Sequence, residues 1–160
     1  MAGGPGHSCA RGPRCMTDYQ ARISGPLMDR IDIRIDVLAV SAVDLIRSMP
    51  VERSADVARR VGGARDIQRS RFEAAGLEGV GTNARCSTAM IEKYAAPEPA
   101  GLQLLRDAAE KMRFSARGYH RVLKVARTLA DLDGNETVGR IHLAEAISYR
   151  IAGERLSTAA

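Results

Sequence analysis

Two arginines, Arg30 and Arg117, have the residue type and position best suited to chemistry in this chain. Arg30 follows Asp29 at the mouth of a predicted strand, where side chains protrude from the end of a sheet, and Arg117 lies in the first turn of a predicted helix. A guanidinium group makes forked contacts to phosphate or carboxylate, and a helix N-terminus favours an anion. An ordinary surface ion pair at Asp29–Arg30 and a solvated Arg117 are the alternatives. The residues alone therefore make Arg117 a candidate anion-binding position and place Arg30 at the protruding end of a predicted strand.

A third candidate is a metal site near the N-terminus, where His7, Cys9 and Cys15 lie close together in the sequence. Two cysteines and one histidine are fewer than the four ligands of a structural zinc site. The chain has three cysteines, and this odd, small number argues against a disulfide framework. We therefore predict no complete metal site, name Cys9 and Cys15 as the candidate ligands, and expect Cys86 to be a free thiol.

The composition narrows the class of protein. The chain has 160 residues and a net charge of +5, and all but three of its 24 basic residues are arginines. This arginine bias suits phosphate contacts, although a genome rich in G and C produces the same bias. There is no apolar run long enough for a membrane helix and no apolar N-terminal stretch typical of a signal peptide. With no Trp and two Phe, the chain has little means of stacking on single-stranded nucleic acid. We expect a cytoplasmic protein with no membrane partner.

The elements that would position these residues are mostly helices. A short helical segment is predicted over 17–29, ending near Ser24-Gly25-Pro26. Residues 31–37 then alternate strictly between apolar and charged residues, which predicts a half-buried strand. One strand cannot be stable alone, so we expect it to be frayed, mispaired or packed on the helices that follow. These helices are predicted to be a long one from Ser54 and four more, near 87–94, 100–112, 115–132 and 139–151.

Four stretches carry a resemblance to a known family. Residues 27–32, Leu-Met-Asp-Arg-Ile-Asp, resemble the L-L-D-R-[IF]-D signature of ring-forming AAA+ ATPases. Residues 115–132 resemble the helix S-x-R-x-x-x-R-[VI]-L-K-V-A-R-T-[IL]-A-D-[LI] of the magnesium-chelatase-like proteins in the ComM family, and residues 142–150 resemble their closing H-[VL]-x-E-A-[IL]-x-Y-R. Ser54-Ala55-Asp56-Val57 matches their S-A-x-V. These stretches are spread from residue 27 to residue 150, so the chain is identified as similar to the C-terminal part of such an ATPase.

The resemblance implies roles for both arginines. Arg30 corresponds to the arginine finger that reaches the γ-phosphate bound by the neighbouring subunit, and Arg117 corresponds to the second sensor in the lid. For Arg121, Lys124 and Arg127 we expect only a solvated polar face. Many members of the family carry a C-x-C-G pair upstream, so a zinc site divided between Cys9, Cys15 and preceding residues is the alternative to our prediction that this chain binds no metal.

The resemblance also implies a fold and a division of the chain. We expect a mainly α fold, in which a helical AAA+ lid is preceded by the last strand of a truncated α/β core. Residues 1–37 would be the end of that core, 38–75 a linker and long helix, 76–152 the lid and 153–160 a tail. The chain has no G-x-x-x-x-G-K-[ST] phosphate loop and no acidic strand end for Mg²⁺. It should therefore be a fragment that does not hydrolyse ATP alone, and the fragment itself should bind no cofactor.

Three functions remain open at this stage. The resemblance implies that the parent protein forms a hexameric ring, hydrolyses ATP with Mg²⁺ and acts on DNA, promoting branch migration during natural transformation. The second alternative is an ATPase subunit of a complex that inserts Mg²⁺ into a porphyrin. The third is an autonomous helical interaction module without a nucleotide. We expect self-association only in the full-length protein, and a monomer for this chain alone.

Overall fold

The computed structural model describes residues 22–35, 37, 52–77 and 79–151, and this part of the chain is mainly helical. A single helical turn and a 3-10 turn, Asn83–Arg85, accompany five longer helices. In chain order the α-helices are α1 Gly25–Met28, α2 Ser54–Ala74, α3 Thr88–Tyr94, α4 Pro99–Lys111, α5 Ala116–Leu132 and α6 Arg140–Ile151. The helices predicted from the sequence after Ser54 are therefore confirmed to within a few residues.

Helix α5 lies at the centre of the packing. It contacts α6, α2, α3 and the 3-10 turn, while α4 packs on α6. Ser115 caps α5 by accepting a 3.0 Å hydrogen bond from the Gly118 N–H, which satisfies one of the free donors of the first turn. The helix ends where Gly134 adopts a positive φ of 70°, a conformation that glycine tolerates best. Sequence signals therefore place both ends of the central helix.

The hydrophobic core is built from one face of each helix. Its largest fully buried apolar side chains are Phe72, Ile91, Leu105, Leu123 and Leu143. Each of the five longer helices contributes one of them, so the core joins all of these helices into one bundle. At about 25 cal/mol per Å² of apolar surface, burying each side chain contributes roughly 1.5–3 kcal/mol.

The segment predicted to be a strand differs from the prediction. Residues 31–35 and 37 are not in a strand, and the described residues hold one isolated bridge, between Pro97 and Val138. We call residues 29–35 the strap, because they run against the bundle through their polar groups. The backbone N–H of Arg34 donates to the carbonyl of Tyr149 at 3.1 Å. Its alternating pattern suits a sheet, but the described chain supplies no strand to pair with, so Ile33 and Ile35 stay 52% and 66% exposed.

The short helix before the strap is also placed differently. Helix α1 begins at Gly25, with Pro26 in its first turn, so Ser24-Gly25-Pro26 opens a helical turn instead of ending one. Proline is well tolerated there because its missing N–H has no partner within a helix. Residues 17–21 of the predicted helix lie outside the described residues.

Candidate functional site

Arg117 lies in the first turn of α5, two residues after the cap Ser115. Its side chain is exposed and lines a cleft of about 980 Å³ between α5, the strap and the turn before α3. The N-terminal end of a helix carries a partial positive charge, and this charge adds to that of the guanidinium. The charge and the position of Arg117 are therefore suited to an anion, and its role as a nucleotide sensor stays a prediction.

Arg30 lies in the turn that follows α1. Its backbone N–H donates to the carbonyl of Leu27 at 3.0 Å, which fixes the main chain of the turn. Its side chain is exposed, and its guanidinium makes no hydrogen bond or ion pair to any other described residue. The surface ion pair with Asp29 that the sequence allowed is absent from this part of the structure, so Arg30 is available to contact another molecule.

Asp29 joins the two candidate positions. Its Oδ2 accepts a 2.9 Å hydrogen bond from the Ser115 hydroxyl, and its Oδ1 accepts a 2.8 Å hydrogen bond from Arg150. Ser115 is the residue that caps α5, two positions before Arg117. The turn that carries Arg30 is therefore bonded to the end of the helix that carries Arg117.

The other basic residues along the cleft are already paired. Arg121 forms an ion pair with Asp32 of the strap. Lys124 donates to the carbonyls of Ala84 and Cys86 at 2.9 and 2.7 Å. Arg121 and Lys124 thus hold the cleft walls together, although both belong to the face that the sequence suggested was merely solvated.

Arg127 contradicts the prediction of a solvated face. It is 1% exposed, and it donates to the carboxylate of Asp131, one turn later on α5, and to the carbonyls of Asn135 and Glu136. Burial lowers the pKa of this guanidinium, while the charge of Asp131 acts in the opposite direction. The sequence signal for this pair was the i,i+4 spacing of an arginine and an aspartate.

Asp131 is the centre of a buried polar cluster that ties α2 to α5. Its carboxylate accepts from Arg127 and Arg71, and also from the Asn83 side chain at 2.8 Å. Asn83 in turn accepts from Arg71, and its backbone N–H donates to Gln68. We call these five residues the Asp131 cluster. Sequence reasoning missed it, because Gln68, Arg71 and Asn83 lie on other elements.

No metal centre is found in the described residues, where no group of three or more His, Cys, Asp or Glu side chains converges. The candidate ligands Cys9 and Cys15 lie outside the described residues. Cys86 is a free, buried cysteine, as predicted. Burial raises the pKa of its thiol, and the nearby charges of Lys124 and Arg71 act against that rise.

The described residues contain no helix that is long and apolar enough to cross a membrane. This agrees with the absence of a long apolar run in the sequence.

Comparison with known proteins gives consistent matches. The family described as magnesium chelatase, subunit ChlI C-terminal, matches residues 51–150, and the family described as magnesium chelatase, subunit ChlI, matches residues 1–45. Competence protein ComM of Haemophilus influenzae is 37% identical over 139 residues, which are 86% of this chain and 26% of that protein.

Two uncharacterized relatives show similar coverage. A Mycobacterium tuberculosis protein is 34% identical over 137 residues, covering 86% of this chain and 26% of its own length. YifB of Escherichia coli is 33% identical over 150 residues, covering 91% of this chain and 28% of its own length. The chain therefore spans about a quarter of the length of these curated relatives.

Proposed function

Because this chain belongs to the family of magnesium chelatase, subunit ChlI C-terminal, we propose that it supplies an arginine finger and a nucleotide-sensing lid to a ring-forming AAA+ ATPase that acts on DNA. Arg30 is the finger and acts on the nucleotide of the neighbouring subunit. Arg117 is the second sensor and contacts nucleotide from the lid.

One observation carries this proposal. Arg30 and Arg117 are both exposed, and neither guanidinium is engaged by another described residue. Other arginines of α5 and the strap are used inside the molecule, as Arg121 and Arg127 illustrate. The backbone of each arginine is ordered by the fold, while its guanidinium has no partner among the described residues. Such a side chain is suited to bind an anion on another molecule.

The chemistry asked of Arg30 is electrostatic. Phosphoryl transfer spreads negative charge over the γ-phosphoryl oxygens, and an arginine finger that stabilises this charge contributes 10³–10⁵ in rate in well-studied NTPases. The Arg30 guanidinium has no ion pair to a described residue that would have to break first. The turn that carries it is held by main-chain hydrogen bonds and by Asp29.

The chemistry asked of Arg117 is binding and closure. Its charge and the N-terminal end of α5 both favour a phosphate. The same helix lies at the centre of the bundle and contacts most of its other helices. A shift of α5 caused by a contact at Arg117 would therefore move the whole lid. Arg117 therefore couples bound nucleotide to the position of the lid.

ATP and Mg²⁺ are the cofactors of the full-length ring under this proposal. The chain itself lacks a phosphate loop and an acidic strand end, so it contributes charge to the nucleotide without holding Mg²⁺. The proposed partners are identical subunits, in a hexamer, and DNA during branch migration. Its similarity to a competence protein supports the DNA assignment. A cytoplasmic location follows from the same proposal.

The test uses the full-length protein that contains this chain. Arg30→Ala should abolish ATPase activity while nucleotide binding is largely retained, because only an interaction made in the transition state is lost. Arg117→Ala should weaken both nucleotide binding and turnover. Arg106→Ala is the matched control, since Arg106 is an exposed arginine on α4, and this variant should behave as wild type.

Mixed rings test whether Arg30 acts on a neighbour. Arg30→Ala subunits combined with subunits that lack the phosphate-loop lysine should regain partial activity, because some junctions pair an intact finger with an intact nucleotide site. If rings shown to be mixed never regain turnover at any ratio, Arg30 is not a finger acting in trans.

A second candidate function is favoured by the family description itself, which names a magnesium chelatase subunit. In that case the same two arginines serve an ATPase that drives metal insertion into a porphyrin with partner proteins. ATPase activity stimulated by branched DNA supports the first function, and stimulation only by chelatase partner subunits supports the second. If the full-length protein binds no nucleotide, both ATPase functions are wrong, and the third alternative, a helical interaction module, is supported.

A further inference from the structure

Both carboxylate oxygens of Asp29 accept hydrogen bonds from the helical bundle. Its two oxygens accept from Ser115 and from Arg150, whose side chain is only 8% exposed. The contacts link positions that are 86 and 121 residues apart in the sequence. Charge-assisted hydrogen bonds of this kind are about twice as strong as neutral ones.

The Ser115 hydroxyl makes this contact directional. Its oxygen accepts from the Gly118 N–H at 3.0 Å, and its hydrogen is donated to Asp29 at 2.9 Å. A hydroxyl has one hydrogen to donate. Ser115 therefore caps α5 as an acceptor and binds Asp29 as a donor. The negative charge of Asp29 also lies at the positive end of the α5 dipole.

Gly118 shows that this docking is built into α5. Glycine is unfavourable inside a helix by roughly 0.5–1 kcal/mol relative to alanine. A Cβ at position 118 would lie 3.1 Å from the Arg150 guanidinium and 3.4 Å from the Asp29 carboxylate. The missing side chain therefore makes room for the Asp29–Arg150 pair against the first turn of the helix.

The rest of the strap follows the same surface. The Arg34 side chain donates to the carbonyl of Met28 at 2.8 Å, and the Arg34 backbone N–H donates to Tyr149 of α6. The turn with Arg30 is thus held between α1 and the end of α6, and Asp29 is the residue that connects it to α5.

We propose that Asp29 is a positioning residue, which sets the direction of Arg30 by docking the turn on the Ser115 cap and on Arg150. This inference rests on the proposed function of Arg30. Under this proposal Asp29 also couples the two candidate positions. When nucleotide at Arg117 moves α5, Asp29 transmits the movement to Arg30, which serves the neighbouring subunit.

The test is Asp29→Asn in the full-length protein. The neutral amide keeps the shape of the side chain but weakens both contacts, so the turn should move and kcat for ATP should fall about 10- to 100-fold, the cost of a misplacement of about 1 Å. The KM for ATP should stay within about threefold, because Arg117 and the Ser115–Gly118 cap of its helix are retained in this variant. Asp107→Asn, a matched change at an exposed position of α4, should leave kcat unchanged.

A double variant separates positioning from a merely structural role. If Asp29 acts only through Arg30, Asp29→Asn added to Arg30→Ala should not lower further the small residual rate of ATP hydrolysis, measured in single-turnover reactions, because the two residues act as one unit. A further loss of tenfold or more would show that Asp29 acts by another route and would overturn the inference.

Gly118→Ala provides a second variant in which every charge is kept. Its new methyl group would lie 3.1 Å from the Arg150 guanidinium and should displace this partner of Asp29 by a few tenths of an ångström, so kcat should fall in the same direction as for Asp29→Asn. This variant decides the question if Asp29→Asn fails to assemble into rings. Normal kcat in a folded, assembled Asp29→Asn protein, or in Gly118→Ala where Asp29→Asn does not assemble, would overturn the inference.

The two proposals can fail separately. If Arg30→Ala retains ATPase activity, the proposed finger is wrong, whatever Asp29 does. If Arg30→Ala is inactive and Asp29→Asn is fully active, the finger stands and the positioning role is wrong. Amide hydrogen exchange of residues 28–31 in the 160-residue chain reports docking without any ATPase assay, and it should be faster in Asp29→Asn than in wild type.

Discussion

Replacing Asp131 by asparagine should be among the most destabilising single changes in the bundle. Asp131 is 1% exposed and accepts hydrogen bonds from Arg71, Asn83 and Arg127. The asparagine side chain has nearly the same shape, so no cavity is created. It carries no charge, however, and one of its two polar atoms is a donor that would face the donors of both arginines.

The magnitude follows from what is left behind. Arg127 is 1% exposed and its only anionic partner among the described residues is Asp131, so the variant leaves a buried cation without a counter-charge. Breaking a buried pair by removing one partner costs about 3–5 kcal/mol. Domains of this size are stable by about 5–15 kcal/mol in total, so a fifth or more of the stability would be lost. At about 4 °C per kcal/mol for roughly 100 residues, Tm should fall by about 12–20 °C.

The assay is urea unfolding of the 160-residue chain followed by circular dichroism, since the chain has no Trp for fluorescence. Asp107→Asn is the control, because Asp107 is exposed and bonded only to Gln103 among the described residues, and it should change stability by less than about 0.5 kcal/mol. Arg71→Met should be destabilising as well, but less so in the Asp131→Asn background than alone. A loss below about 1 kcal/mol for Asp131→Asn would refute the claim that its charge holds α2 and α5 together.

Two further predictions concern the core. Gly101→Ala places a Cβ 2.8 Å from Leu143 in the α4–α6 contact and should cost about 1–3 kcal/mol in urea unfolding, whereas Gly62→Ala, with open space around it in α2, should be neutral or stabilising. Burial raises the pKa of the Cys86 thiol, so the folded chain holds this proton more tightly than the unfolded chain does. Stability should therefore be full below the unfolded pKa of about 8.5 and fall as pH rises above it, and an unchanged slope in Cys86→Ala would contradict this.

Much of the helical bundle was predictable because its signals are local. The apolar face of α5, its cap at Ser115 and its end at Gly134 are encoded within a few residues of one another. Local signals also gave the family, since the residues around Arg30 and Arg117 carry the resemblance that the comparisons confirm, while the roles of both arginines stay predictions. For these two arginines the sequence indicated a cationic side chain at the end of a secondary-structure element.

The strap shows where local signals fail. Its alternation encodes the two faces of a strand, but a strand needs a neighbour to bond with. The described residues provide the end of α6 instead, and Arg34 bonds to it there. Whether an alternating segment becomes a strand is therefore decided by what lies beside it.

The fate of each polar side chain was decided only by the tertiary structure. Arg117, Arg121 and Arg127 lie on the same helix and are all basic, yet one is exposed, one is paired with the strap and one is buried. Periodicity places a side chain on a face of its helix, while burial depends on which distant segment approaches that face. For Arg121 this segment is the strap, whose Asp32 lies 89 residues away in the sequence, and for Asp29 it is the cap of α5, 86 residues away. Such partners meet only once the helices have packed, because no local pattern specifies the distance between them.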